Sequence, residues 1–588
     1  MNRDAGTGSK PPVTTRMPLF VLICVALGGL AACSDGAATR EVDSEDAAPD
    51  SGDVIDTTPE ETAPEVEVIA PRGRVVINEA DCRSDPSEWV ELMNIGDAPV
   101  ELAGYRITDR PGGAGIGVPA GELMPGKIRV VHGDFGISCE DDGVYLSVDG
   151  RSADQAPPRR GDAEISTWGR VPDGTGAFEA TAPTPLKGNI ALTDLRSSLF
   201  ETPPDAPLPI VDLYVDEAAE QTLRSEQKVY APALWSWTDA SGTSPPQRID
   251  LRIKGSITLR PWDQKPSLKI HFARHDERGP RSFRGAKKLT LHNLAYDPSA
   301  VREWLAYDLM REAGQPAPRV GWVVVRVNGV SKHLYALVES YDEVFLDDWF
   351  ESTTALYEAD GDLAGGLAGF FLDEGESMAP LEALAAKVIR VSDGQSQPTE
   401  ALPEIDWVQL AGMFGLEDVL QHTDGMRSGC HNYFMHIDPH GKWSFLPWSV
   451  DLTLLAGYGE AGPIGTCNVF AQLCDRDEQC AAWFERARDE AAQIALRGDF
   501  RARAMARAER VQAYAWASDE PWGTGDFWGD HTFDLPMQAS LAVDLLEQRA
   551  RAIRCATAAH RTDPATAPED NPTCGGFLGG PGGGPKLR

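Results

Sequence analysis

A thirteen-residue apolar run, Pro18 to Leu30, decides the conditions under which the rest of this 588-residue chain folds. Arg3, Lys10 and Arg16 precede it and give it a positive flank. The run is shorter than the ~20 residues that cross a bilayer, so it reads as an export signal and not as a permanent span. Export places everything downstream in an oxidising compartment. Of ten cysteines, eight follow the signal: Cys82, Cys139, Cys430, Cys467, Cys474, Cys480, Cys555 and Cys574. An even set in an exported chain predicts disulfides. Cys82 with Cys139 is a plausible bridge within one domain, and the other six leave their connectivity open. No pair has CxxC spacing, which argues against a zinc site.

The apolar run ends in Leu30-Ala31-Ala32-Cys33, followed by Ser34. This resembles the lipobox of bacterial lipoproteins. The resemblance implies lipidation at Cys33, a mature chain starting there, and sorting to the outer membrane or cell surface. A lipid on Cys33 would anchor the protein without a spanning helix. Residues 34–72 then hold twelve acids and two arginines, with no aromatic residue. Such a segment has no apolar period and repels itself, so it reads as a solvated tether. The whole chain carries a net charge of −36, with 90 acids against 54 lysines and arginines. That balance excludes a general nucleic-acid binder, which needs basic patches to displace counterions. The 42% hydrophobic content still allows real cores.

Short β-rich runs dominate residues 73–190: Val75-Val76-Ile77, Trp89-Val90-Glu91-Leu92, Tyr105-Arg106-Ile107 and Ile128-Arg129-Val130-Val131. Gly, Pro and Asp turns separate them, a pattern that predicts a β-sandwich. Val76-Ile77-Asn78-Glu79, Glu88-Trp89-Val90-Glu91-Leu92-Met93-Asn94 and Val100-Glu101-Leu102-Ala103-Gly104-Tyr105 open this region. Trp168-Gly169-Arg170-Val171-Pro172-Asp173-Gly174, Thr184-Pro185 and Asn189 close it. Together they resemble a lamin tail domain, which implies an immunoglobulin-like sandwich acting as a binding or spacer module. Glu79, Glu88 and Glu91 read as a solvated strand face, with cation binding as the alternative.

Residues 208–345 mix strands with a helix predicted over Pro298 to Ala313, begun by Asp297 and stopped by Gly314. Residues 405–425, 475–515 and 535–560 are helical by periodicity. Within this stretch, Ile249-Asp250-Leu251-Arg252-Ile253-Lys254-Gly255 precedes Gln264-Lys265-Pro266-Ser267-Leu268-Lys269-Ile270. Lys287-Lys288-Leu289-Thr290-Leu291-His292, Tyr335-Ala336-Leu337-Val338-Glu339, His422-Thr423-Asp424-Gly425, Asn432-Tyr433-Phe434 and Phe445-Leu446-Pro447-Trp448-Ser449-Val450-Asp451 follow. In order and spacing these resemble the CotH family of atypical protein kinases. The resemblance implies transfer of the ATP γ-phosphoryl group to Ser or Thr of surface or coat-type proteins. It implies Asp424 as the catalytic-loop acid and Asp451 as a ligand of Mg²⁺ or Mn²⁺, with Asn432 as a second ligand. Lys265 or Lys269 would reach the phosphates, Glu339 would orient that lysine, and Arg252 would face the nucleotide. Phosphoryl transfer needs these groups: cations for the phosphates, carboxylates for the metal, and an acid to orient the hydroxyl. The family pattern Pro-Trp-Asp-x-Asp departs here at Ser449, and Glu460 and Asp438 are the acids that could compensate.

Gly457 to Gly462 fits GxGxxG, but Pro463 and Gly465 follow where a dinucleotide site needs a helix. Trp235, Trp237, Trp516, Trp522 and Trp528 read first as packing residues and second as a glycan surface. The expected architecture is multidomain. A lipoprotein signal (1–33) and an acidic tether (34–72) lead to a lamin-tail-like β-sandwich (73–190). An α+β kinase-like domain with a helical C-terminal part (205–562) and a Pro/Gly-rich tail (563–588) complete it. The rival functional expectation is a catalytically dead, kinase-like scaffold or adhesion protein.

Overall fold

The computed structural model describes residues 74–83, 88–139, 142–158, 165–255, 259–272, 281–297, 299–394, 396–455, 464–515 and 534–562. The signal, Cys33, the tether, the GxGxxG stretch, Glu460, Trp516, Trp522, Trp528 and the tail lie outside them.

The first region is built from antiparallel strands. One five-stranded sheet runs in the order Ala177–Thr181, Thr167–Val171, Val75–Asp81, Trp89–Asn94, Ile128–His132. A four-stranded sheet runs Ile116–Gly117, Tyr105–Thr108, Val144–Val148, Arg151–Ala156. Val75, Ile77, Val90 and Leu92 from the first sheet and Ile107, Val144 and Leu146 from the second share one apolar core. The Cys82–Cys139 disulfide closes it at one edge.

The three glutamates depart from the solvated face expected of them, because all three are buried. Glu91 accepts from Asn78 Nδ2 at 2.8 Å and from the Leu186 amide at 2.7 Å. Glu79 accepts from the Thr184 amide at 3.1 Å and from the Thr167 hydroxyl, and Glu88 accepts from the Phe135 amide at 2.6 Å. The segment around Thr184 to Asn189 lies across this face and supplies donors in place of water. Burial, which outweighs those hydrogen bonds, pushes Glu79 from 4.5 up to about 7. A carboxyl raised on folding binds more protons in the native than in the unfolded state across that window. Its contribution is therefore complete below pH 4.5 and is lost as pH rises towards 7. Glu79→Gln is expected to match the parent near pH 4.5. At pH 8 it is expected to be on the order of 1–3 kcal/mol more stable. Hydrogen exchange of the Val75–Asp81 amides at both pH values measures this, and equal destabilisation at both would refute it.

The second region begins with an eight-stranded sheet. Its order is Ile210–Tyr214, Val320–Val327, Val330–Glu339, Lys288–His292, Ser267–Phe272, Gln247–Lys254, Ala231–Asp239, Gly242–Thr243. Ile210–Tyr214 also pairs with Ala231–Asp239, so seven of these strands close into a barrel. Strand alternation sends Val211, Trp235, Trp237, Leu251, Ile253, Ile270, Leu289 and Leu337 into its interior. Trp235 and Trp237 stack there at 6.1 Å, as packing residues. The same alternation puts Arg252, Lys254, Lys269, Lys288 and His292 on the outside.

A second four-stranded sheet runs Phe370–Glu374, Ala355–Ala359, Tyr433–Ile437, Trp443–Pro447. The helices Ala379–Ser392, Trp407–Leu420, Glu478–Arg497, Phe500–Ala515 and Leu535–Thr562 accompany it. The helix expected from Pro298 starts four residues later, as Arg302–Glu312, because the chain first turns through Ala300 at φ 57°. Asp297 still serves its start, accepting from the Arg302 amide at 2.8 Å. The 475–515 segment is broken rather than continuous: Asp477 caps a new helix and Gly498 ends it. Cys430–Cys467 and Cys474–Cys480 are bridged, and Cys555 is disulfide-bonded. Among the described residues no helix is long and apolar enough to cross a membrane.

Candidate active site

Lys254 ends a barrel strand opposite Ser267, and His292 ends the strand beyond. Their side chains therefore meet on the outer face of the barrel. The Lys254 ammonium lies 2.6 Å from His292 Nε2, and His292 Nδ1 lies 2.8 Å from Glu303 Oε2. An ammonium only donates, so Nε2 accepts and Nδ1 carries the ring proton to Glu303. Burial, with the Lys254 charge beside it, holds His292 down at about 3. Burial also lowers Lys254 and raises Glu303 and Asp451. Lys254 sits over the Trp448 ring at 5.0 Å, which brings the barrel to the segment carrying Asp451. Lys254, Ser267, His292, Asp297, Glu303, Ser449 and Asp451 line one cavity of about 20 Å³.

The Asp451 segment follows strand Trp443–Pro447. Ser449 takes a left-handed conformation at φ 51° and donates to Asp451 Oδ1 at 3.1 Å. The neighbouring loop follows helix Trp407–Leu420. His422 Nε2 lies 3.3 Å from the Ser449 carbonyl, and the Trp448 amide donates to the Asn432 carbonyl at 3.0 Å. A Cβ at Gly425 would sit 2.4 Å from His422 Nδ1 and 2.5 Å from Glu417 Oε1, so the turn after Asp424 demands glycine. Asp424 Oδ2 accepts from Asn432 Nδ2 at 2.9 Å, and its Oδ1 lies 3.0 Å from His431 Nε2. That hydrogen bond to Asp424 raises His431. The Cys430–Cys467 bridge sits next to this pair in sequence.

The cationic residues expected at the phosphates divide. Lys269 faces the four-stranded sheet, 3.7 Å from Glu358 and 3.8 Å from Asp373. Arg252 lies opposite it on the adjacent strand, with its guanidinium 5.3 Å over the Tyr230 ring. Lys265 instead lies 5.0 Å over the ring of Tyr335, a barrel-interior residue. Glu339 corrects the expectation that it orients Lys265 or Lys269. Its oxygens are held by Arg196 Nε at 2.7 Å and Arg319 Nη1 at 2.9 Å, so it anchors the helix Leu192–Ser197 instead. Asp438 does not replace the missing acid at Ser449, because it closes the Tyr433–Ile437 hairpin by accepting from the Lys442 amide at 2.8 Å.

Sequence reasoning passed over Lys254, His292 and Glu303. The signal was present in strand alternation: Lys254 shares its face with Arg252, two residues away. What alternation lacked was the partner across strands.

A larger cavity of about 440 Å³ opens further along the outer barrel face, bordered by Tyr230, His271, Lys288, Asp373 and Glu374. His271 lies two residues beyond Lys269, and Lys288 pairs with His271. Ser267, at the small cavity, and His271, at the larger one, are thus four residues apart on one strand, about 13 Å. Among the described residues no group of three or more His, Cys, Asp or Glu forms a ready metal cage. Asp297, Glu303 and Asp451 are the carboxyl groups of the small cavity, and Asp451 with the Ser449 hydroxyl beside it suits a hard cation that arrives with phosphate oxygens.

Residues 251–479 match the family model described as CotH kinase protein. A 98-residue stretch is 34% identical to the inner spore coat protein H of Bacillus subtilis (strain 168). That match spans 17% of this chain and a quarter of the relative. The proinflammatory kinase CtkA of Helicobacter pylori aligns over 48% of this chain and 94% of its own. Its identity is 9% and its TM-score 0.20, too slight a likeness to support a fold argument. The segment that carries Lys254, His292, Glu303, Asp424, Asn432 and Asp451 is thus the segment that matches the CotH kinase family.

Proposed function

We propose that this chain is an exported, lipid-anchored surface protein whose CotH-like region transfers the γ-phosphoryl group of ATP to Ser or Thr hydroxyls of surface or coat-type proteins. One observation carries the reading: a barrel lysine, a helix glutamate and the loop acid Asp451 line a single cavity, with the Asp424 loop tied to it through His422. Lys254 supplies positive charge for the phosphates, and Lys269 and Arg252 extend it along the barrel face. The nucleoside would lie towards the larger cavity, which lies further along the strand that carries Ser267 and Lys269. Asp424 accepts the proton of the attacking hydroxyl; a new P–O bond forms at the acceptor, the β–γ bridge breaks, and ADP leaves. Asp451 and Asn432 would hold the divalent cation, which neutralises phosphate charge during transfer. The N-terminal region, on its lamin-tail resemblance, would bind or space the catalytic part from the membrane. The test is incubation of residues 73–588 with γ-labelled ATP, Mg²⁺ or Mn²⁺, and an acidic protein acceptor such as casein. Label on Ser or Thr, abolished by chelation, is expected. No transfer and no nucleotide binding by calorimetry would reject the reading and favour the scaffold alternative, to which Ser449 in place of a second acid lends support.

A further inference from the structure

In phosphotransferases of this kind a strand lysine is held by a helix glutamate, and movement of the helix can make or break that pair. Here the two do not meet directly in the hydrogen-bond pattern. His292 stands between them, accepting from Lys254 at 2.6 Å and facing Glu303 at 2.8 Å. His292 belongs to the barrel, not to the helix, and its strand joins the Lys254 strand through Ser267–Phe272. The helix itself is locked. Trp304, Leu305, Tyr307, Leu309 and Met310 are all in the core, and Asp308 is paired with Arg503 of the helix Phe500–Ala515.

We infer that His292 is a positioning residue that holds Lys254 to the barrel and passes the pull of Glu303 to it, so that the lysine stays assembled without any swing of the helix. The inference rests on the phosphotransfer reading for its kinetic consequence, but the relay itself can be tested apart from activity. Gln can supply both an acceptor and an N–H donor at this position, whereas Leu supplies neither. In the full chain, His292→Leu is expected to lower kcat on the order of 10²-fold, with little change in KM for ATP. His292→Gln is expected to recover most of that loss. Loss in KM alone, or a Gln variant as poor as the Leu variant, would overturn the relay.

The second measurement is labelling of Lys254 by an amine-reactive ester, read by mass spectrometry. The parent and the Gln variant are expected to label slowly and the Leu variant several-fold faster; equal rates in all three would overturn the inference. Should the Leu variant not fold, His292→Asn takes its place, since its shorter amide cannot span both partners. If the parent chain transfers no phosphate, the phosphotransfer reading fails while the labelling still decides the relay.

Discussion

Asp451→Asn is expected to abolish phosphoryl transfer, lowering kcat on the order of 10³-fold while the chain stays folded. Asp451 is the carboxylate of the 20 Å³ cavity that lies beside Ser449, and no second acid stands at the family position. Removing it takes away the anionic oxygen that a hard cation requires. The fold survives because burial already disfavours the charged form of this acid, with Glu303 adding to the effect. Asn keeps the shape and still accepts from the Ser449 hydroxyl. Asp424→Asn is expected to behave differently. It should leave ATP affinity near that of the parent and depress turnover, because Asp424 faces His431 and Asn432 and not the Lys254 cluster. Single-turnover assays with calorimetric ATP binding separate the two. Asp451→Asn with parental turnover would sink the assignment of the metal acid.

Lys254→Met is the second large effect. Its ammonium is the cation of the buried cluster formed with His292, Glu303 and Asp451. Methionine matches its length and packs against Trp448 but donates nothing. On the phosphotransfer reading a fixed positive charge is then lost from the site, and kcat/KM is expected to fall on the order of 10²–10³-fold. The same change leaves His292 Nε2 without its donor and takes one counter-charge from Glu303 and Asp451. Comparison with Lys265→Met and Lys269→Met tests the choice of lysine. Lys265→Met is expected to be near neutral for activity, because its ammonium lies over Tyr335 and does not line the cavity of Lys254. Equal losses at Lys254 and Lys265 would refute that placement.

Part of the fold and the candidate acids of the site could be named from the sequence, for local reasons. Asp424 and Asp451 were proposed from short motifs whose residue types carry the chemistry within a few positions; the structure puts Asp451 in the cavity of Lys254 and Asp424 against His431 and Asn432. The Cys82–Cys139 bridge was legible for a similar reason, since both cysteines lie within one strand-rich region. The Pro298 helix was found with its stop at Gly314, and its start moved because the chain turns through Ala300 before the helix begins at Arg302. Glu339 was misread because the end of an apolar strand looks the same whether its acid faces a lysine or an arginine. Its partner Arg196 is 143 residues distant. The sandwich glutamates were misread because the alternation of Trp89-Val90-Glu91-Leu92 specifies opposite faces, not whether water reaches the second one. The loop through Leu186 decides that.

By itself, the sequence determined which residues share a face of each strand and where the helix before Gly314 stops. Tertiary structure alone decided which lysine reaches the acid. Strand register and barrel closure place Lys254 beside His292, and a fold over nearly two hundred residues brings Asp451 to both. Periodicity acts over a few residues, whereas the pairing of buried charges depends on which distant segments exclude water together.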